Sequence, residues 1–226
     1  MIKSILNIWK KYNLLNEALE DIKKMFQLIY KNYTLAMSAL IENLDQQKNI
    51  IYANDKTINK LEKNVRRKIL EHLTLNPKQD LSYSLIMITV VKDLERIGDY
   101  LKNVIELAIE NPSNLAMNPY TRDLVRIKDE LGKRLEKAES VFINSNEKKA
   151  KEIYDFSRKI ITRTDAIILH ILNDQGQDVK EAVLTALLTR YLKRISSHLA
   201  NIMTSIINPF HLMGYDHKSG YKDELG

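Results

Sequence analysis

The stretch Asp93-Leu-Glu-Arg-Ile-Gly-Asp99 carries the densest set of groups able to do chemistry. On a helix turning about 100° per residue, Glu95, Asp99 and Asn103 form one row, with Glu106 beside it. Val90, Leu94, Ile97, Leu101, Ile105 and Ala108 fall opposite and must face a core, so the acidic row is expected on the helix's outer face. Carboxylates four residues apart repel by only a few tenths of a kcal/mol. The row therefore reads either as a solvated acidic stripe or as part of an oxygen shell for magnesium, calcium, manganese or iron. Two carboxylates rarely complete such a shell, and the preceding helical pattern offers Asp55, Asn59 and Glu62, also in one row. Gly98 leaves room beside the acids for a backbone or ligand, at about 1 kcal/mol in helix propensity.

The other reactive side chains form no catalytic set. The 226 residues include no cysteine, which excludes a disulfide framework, a thiolate zinc site and a cysteine nucleophile. His72, His170, His198, His211 and His217 lack zinc-helix spacing and an obvious nucleophile partner, so they read as ordinary histidines. There is neither a serine elbow motif nor a glycine-rich phosphate loop. The net charge of +6 has both signs interspersed and no basic–aromatic cluster, which fits a solvated bundle and no nucleic-acid partner.

The elements that position these groups are helices. Gly and Pro number only 6 and 4, too few to turn an all-β fold. Apolar residues recur at i, i+3, i+4, i+7 over residues 14–44, where Leu15, Ala18, Leu19, Ile22, Phe26, Ile29 and Tyr33 make one stripe. A second helix is expected from about Asp55 to Leu73, and Asn76-Pro77 signals the start of a third, running to Glu110. Asn111–Pro119 (residues 111–119) is the clearest break and reads as a linker. Three more patterns follow, at about 120–142, 146–173 and 178–207. Residues 1–13 suggest a short amphipathic helix, its Ile2, Ile5, Leu6 and Trp9 either covering one end of the bundle or lying on an anionic membrane. Residues 209–226 lack periodicity and read as a flexible tail. The apolar run Leu85–Val91 is far too short to span a bilayer.

Three helices, a break and three helices suggest duplication, and a shift of 98 residues supports it. That shift superposes Asp80 on Asp178, Leu94 on Leu192, Arg96 on Arg194, Ile97 on Ile195, Leu101 on Leu199 and Asn103 on Asn201. The expected architecture is all-α: two three-helix repeats, residues 14–110 and 120–208, packed side by side. The duplication is unequal at the acidic row, where Lys193 and Ser197 replace Glu95 and Asp99 and continue into Asn201 and Thr204. At most one cation cluster is therefore expected, in the first repeat.

The string Leu94-Glu-Arg-Ile-Gly-Asp99, with Asn103 and Glu106 after it, resembles the signature of the PhoU family. Asp55, Ile58, Asn59, Leu61 and Glu62 resemble that family's second-helix pattern, and Pro77 and Asp80 its start to the third helix. The resemblance spans Leu14 to Pro209. It implies two three-helix PhoU repeats and a cytoplasmic, often dimeric accessory protein rather than an enzyme. Such a protein would negatively regulate phosphate uptake by linking a phosphate ABC transporter to a histidine kinase, with peripheral membrane association. It also implies an iron or divalent cation (Fe, Mg, Mn or Zn) at Glu95 and Asp99, with Asp55, Asn59, Glu62 and Asn103 as further candidates. The competing classes are a metal-dependent phosphohydrolase and a structural, cation-binding scaffold.

Overall fold

The computed structural model describes residues 2–42, 46–78, 80–110, 119–174, 176 and 178–215, with side chains from residue 14 onward except at 41, 42, 46, 119 and 120. The helices are α1 (Ile2–Glu42), α2 (Gln46–Leu75), α3 (Leu81–Glu110), α4 (Pro119–Ile143), α5 (Glu147–Asn173) and α6 (Val179–Ile207). The opening stretch is continuous with α1, which runs through 41 residues. α2 starts nine residues before the expected Asp55, and its early turns place Ile51 in the core one heptad before Ile58. The expected linker lies outside the described residues except for Pro119, which opens α4, a position suited to its fixed φ and missing N–H. The start of α5 is capped by Asn146, whose side chain accepts from the Lys149 N–H, and that of α6 by Asp178, which accepts from the Glu181 N–H.

α1, α2 and α3 pack against one another, as do α4, α5 and α6, while α3 lies on α6 and α1 on α4 between the repeats. One continuous core results, from Ile22, Phe26 and Ile29 of α1 through Leu94 and Leu101 of α3 to Leu192 and Leu199 of α6. The shift of 98 holds in three dimensions. α2 ends at Leu75 and α5 at Asn173, while α3 begins at Leu81 and α6 at Val179. Equivalent positions are buried together, as at Val90 and Leu188, Leu94 and Leu192, Ile97 and Ile195, and Leu101 and Leu199.

The same shift governs the α3–α6 contact. Asp93 is equivalent to Tyr191, and Tyr100 to His198. His198 Nδ1 lies 2.8 Å from Asp93 Oδ1, and the rings of Tyr100 and Tyr191 lie 6.2 Å apart. These two contacts are one contact seen twice, related by the pseudo-twofold of the duplication, as in an isologous dimer interface. The Tyr100 ring also stacks on His198, with centroids 5.9 Å apart.

Part of the expected flexible tail is ordered. Residues 210–212 form a 3-10 turn, the Asn208 side chain donates to the Leu212 and Tyr215 carbonyls, and the Gly214 N–H donates to Thr204 Oγ1. Gly214 has φ of 82°, which a side chain would strain. Residues 216–226 lie outside the described set.

At the α1–α4 junction, Tyr33 is buried and its hydroxyl donates to the Lys128 carbonyl at 2.6 Å. Burial, with Asp129 adding to it, holds the Tyr33 pKa well above its ordinary value, so the phenol stays a donor. Gly132 accommodates the ring, since a Cβ there would come within 3.0 Å of Tyr33 Cε1. Tyr33→Phe removes that additional bond and should cost about 1 kcal/mol in a denaturant titration. An unchanged midpoint would show that the bond adds nothing.

Candidate functional site

The acidic row of α3 does not face outward. Glu95 is buried, with 8% of its surface exposed, and it faces the seam with α2, where Asp55 and Glu62 are likewise buried. Asp99 and Asn103 are half-buried, Asn59 is half-buried on α2, and only Glu106 of the row is exposed. The expectation of an outer acidic face fails at Glu95 and holds at Glu106, because α3 is packed on α1, α2 and α6 together and only the far end of the row clears its neighbours. The notional solvent side of an amphipathic pattern is then the edge of a neighbouring helix.

Each carboxylate in the seam meets cationic groups. Lys102 Nζ lies 3.0 Å from Asp55 Oδ2 and 3.1 Å from Asp99 Oδ1. Lys92 Nζ lies 2.8 Å from Glu95 Oε2 and 3.9 Å from Glu62 Oε1. Arg66 pairs with Glu62 at 2.9 Å, and Arg96 reaches Glu95 at 3.7 Å and Asp99 at 3.4 Å. Four acids thus face four bases. Asn59 donates to Asp55 Oδ2 at 3.2 Å, and the Tyr52 hydroxyl donates to Glu106. That bond, followed by burial, raises the Tyr52 pKa. Burial works against the Lys102 ammonium, but its hydrogen bonds to Asp55 and Asp99 prevail and raise its pKa.

These residues do not fit a resident metal ion as they stand. Among the described residues, no three His, Asp or Glu side chains assemble into a set that could hold one. A hard cation needs a shell of oxygens turned toward it, whereas here ammonium and guanidinium groups already occupy those carboxylates. Two buried oxygens, Asp55 Oδ1 and Glu62 Oε1, accept no hydrogen bond. Glu62 Oε1 still has Arg66 and Lys92 as ion-pair partners; Asp55 Oδ1 sits beside Gly98.

In the second repeat the row is dismantled into separate contacts. Lys193 pairs with Asp165, Ser197 donates to the Lys193 carbonyl, Asn201 donates to Asp93 at 3.4 Å, and Thr204 receives the Gly214 N–H. Sequence reasoning missed the lysines of the first repeat and the His198–Asp93 pair. The lysines could have been found, since Lys92 precedes Glu95 and Lys102 follows Asp99 at the i, i+3 spacing of helical ion pairs. The histidine carried no local signal, because its partner is 105 residues away.

The expected room beside Gly98 is the size of a methyl group. A Cβ there would sit 3.5 Å from Ile58 Cδ1 and 3.7 Å from Asp55 Oδ1, both ordinary contacts, and the equivalent Ser196 is buried with its Cβ in place. Gly98→Ala should therefore keep the fold and gain up to about 1 kcal/mol from helix propensity. A drop in the melting temperature would show that the seam requires the gap.

The family model for the PhoU domain matches residues 22–108 and 124–206, one match per repeat. A Synechocystis protein described as a phosphate-specific transport system accessory protein PhoU homolog is 26% identical over 81% of this chain and 83% of its own length. The crystal structure of PhoU from Pseudomonas aeruginosa superposes with a TM-score of 0.79 at 21% identity, covering 87% of this chain and 96% of that one. The phosphate transport system regulatory protein PhoU from Streptococcus pneumoniae superposes with a TM-score of 0.76 at 18% identity, covering 88% and 95%. With both halves matched by one domain model and their helices wound into the same double bundle, this chain belongs to the PhoU family.

Proposed function

We propose that this protein is an accessory regulator of phosphate transport that acts by docking on a membrane transporter rather than by catalysis. The observation that carries the reading is the match of both repeats to the PhoU domain, in relatives described as transport-system accessory proteins. No described helix is long and apolar enough to cross a membrane, so contact with a transporter would be peripheral. The regulation would be negative and cytoplasmic, shared with a histidine kinase, and the protein would work as a homodimer.

The exposed apolar side chains give docking a physical basis. Leu172 and Val179, on either side of the α5–α6 turn, are 75% and 76% exposed, with Leu169 and Val183 one turn away on each helix. Leu75 and Leu81 are exposed at the equivalent α2–α3 turn. Exposed aliphatics grouped at one end of a helical hairpin suit an interaction surface, and here they lie at both hairpin turns.

Deleting the gene should raise phosphate uptake in phosphate-rich medium, and a wild-type copy should restore it. A copy carrying Leu172→Glu and Val179→Glu should fail to restore it while melting at the wild-type temperature. Unchanged uptake in the deletion strain would defeat the regulatory reading. Full restoration by the double variant would remove the hairpin tip from it.

A further inference from the structure

The duplication provides an internal comparison for the α2–α3 seam. Under the 98-residue shift, Asp55 and Glu62 become Ile153 and Ile160, both buried in the α5–α6 hairpin. Asn59 becomes Ser157, Glu95 becomes Lys193, Asp99 becomes Ser197 and Lys102 becomes Ala200. Where the four acids around Lys102 and Lys92 disappear, Lys102 disappears with them, while the position of Lys92 keeps a base, Arg190, that is exposed. The carboxylates and the Lys102 ammonium are thus present together in one repeat and lost together in the other.

We propose that Lys92 and Lys102 serve as the resident cations of this seam. Each ammonium bridges one carboxylate of α2 to one of α3, closing the seam without a metal ion, and withdrawing them turns the same carboxylates into a divalent-cation site. Lys102 bridges Asp55 to Asp99, and Lys92 bridges Glu62 to Glu95. A lysine tethered to α3 is always at its site, at an effective concentration set by its own short side chain. It carries one charge and three donors, so it neutralises a carboxylate pair incompletely and leaves acceptors over. Asp55 Oδ1 is such an acceptor, in a residue only 7% exposed, with no donor in reach. A divalent ion would use that oxygen, which the ammonium does not.

The proposal does not depend on which transporter the protein regulates. Metal content and melting of the full-length protein test it directly. Wild-type protein should purify with substoichiometric metal, and neither EDTA nor millimolar Mn²⁺ should move its melting temperature. The variant Lys92→Met/Lys102→Met should bind Mn²⁺ stoichiometrically and gain about 5 °C or more when Mn²⁺ is added. Stoichiometric metal in the wild type, or a wild-type melting temperature that falls in EDTA, overturns the proposal. So does a folded double variant that ignores Mn²⁺. If the double variant folds only with Mn²⁺, the proposal stands. If it does not fold at all, Lys102→Met, which leaves Lys92 on Glu62 and Glu95, is measured in its place and judged by the same criteria.

Discussion

α3 is enclosed. It contacts α1 and α2 within its own repeat and α6 of the other, so little of its circumference is left to solvent. Every charged group it carries on an enclosed side must find a counter-charge or a hydrogen-bond partner, because a bare ion in such a seam loses its hydration without replacement. The polar clusters on the two sides of α3 follow from that requirement. On the α2 side, Glu95 and Asp99 are matched by Lys92, Arg96 and Lys102. On the α6 side, Asp93 is matched by His198 and Asn201. The motif Asp93–Asp99 is thus split between two interfaces, one closing the repeat and the other joining it to its duplicate.

The joining interface retains the mark of its origin. The pairings Asp93–His198 and Tyr191–Tyr100 occupy equivalent positions, so the repeats meet face to face as two copies of one domain would. Divergence has changed the chemistry of the two contacts while keeping their geometry. One is now a hydrogen-bonded pair of titratable groups and the other a pair of tilted rings. Burial, with Glu106 nearby, raises the Tyr191 pKa, which keeps that phenol neutral beside Tyr100.

The closing interfaces diverged in a different way. In the first repeat the α2–α3 seam is built from charges, and in the second the corresponding α5 positions are Ile153 and Ile160, which pack without needing partners. Replacing a buried ionic set by apolar side chains is tolerated when the whole set goes together, and costly when one member is removed. In the second repeat the α5 positions have become apolar, and the base at the position of Glu95, Lys193, pairs with Asp165 instead. Two routes to a closed hairpin therefore coexist in a chain whose halves share one helical plan, one through paired charges and one through apolar side chains.

The helical plan was legible in the sequence because amphipathic periodicity and chain breaks are local. The stripe from Leu15 to Tyr33 and the 98-residue repeat survive in the structure, while α3 begins at Leu81 rather than directly after Asn76-Pro77. The Glu95–Asp99 row was legible too, since spacing fixes which side chains share a helical face. Its surroundings were not. Periodicity says which face of α3 is apolar, but the face opposite is solvent only if no helix lies there. That α2 covers Glu95, that Lys102 reaches across to Asp55, and that His198 meets Asp93 from 105 residues away are properties of how the helices pack. Burial decides whether a carboxylate is a free ligand or half of an ion pair, and burial belongs to the assembled bundle.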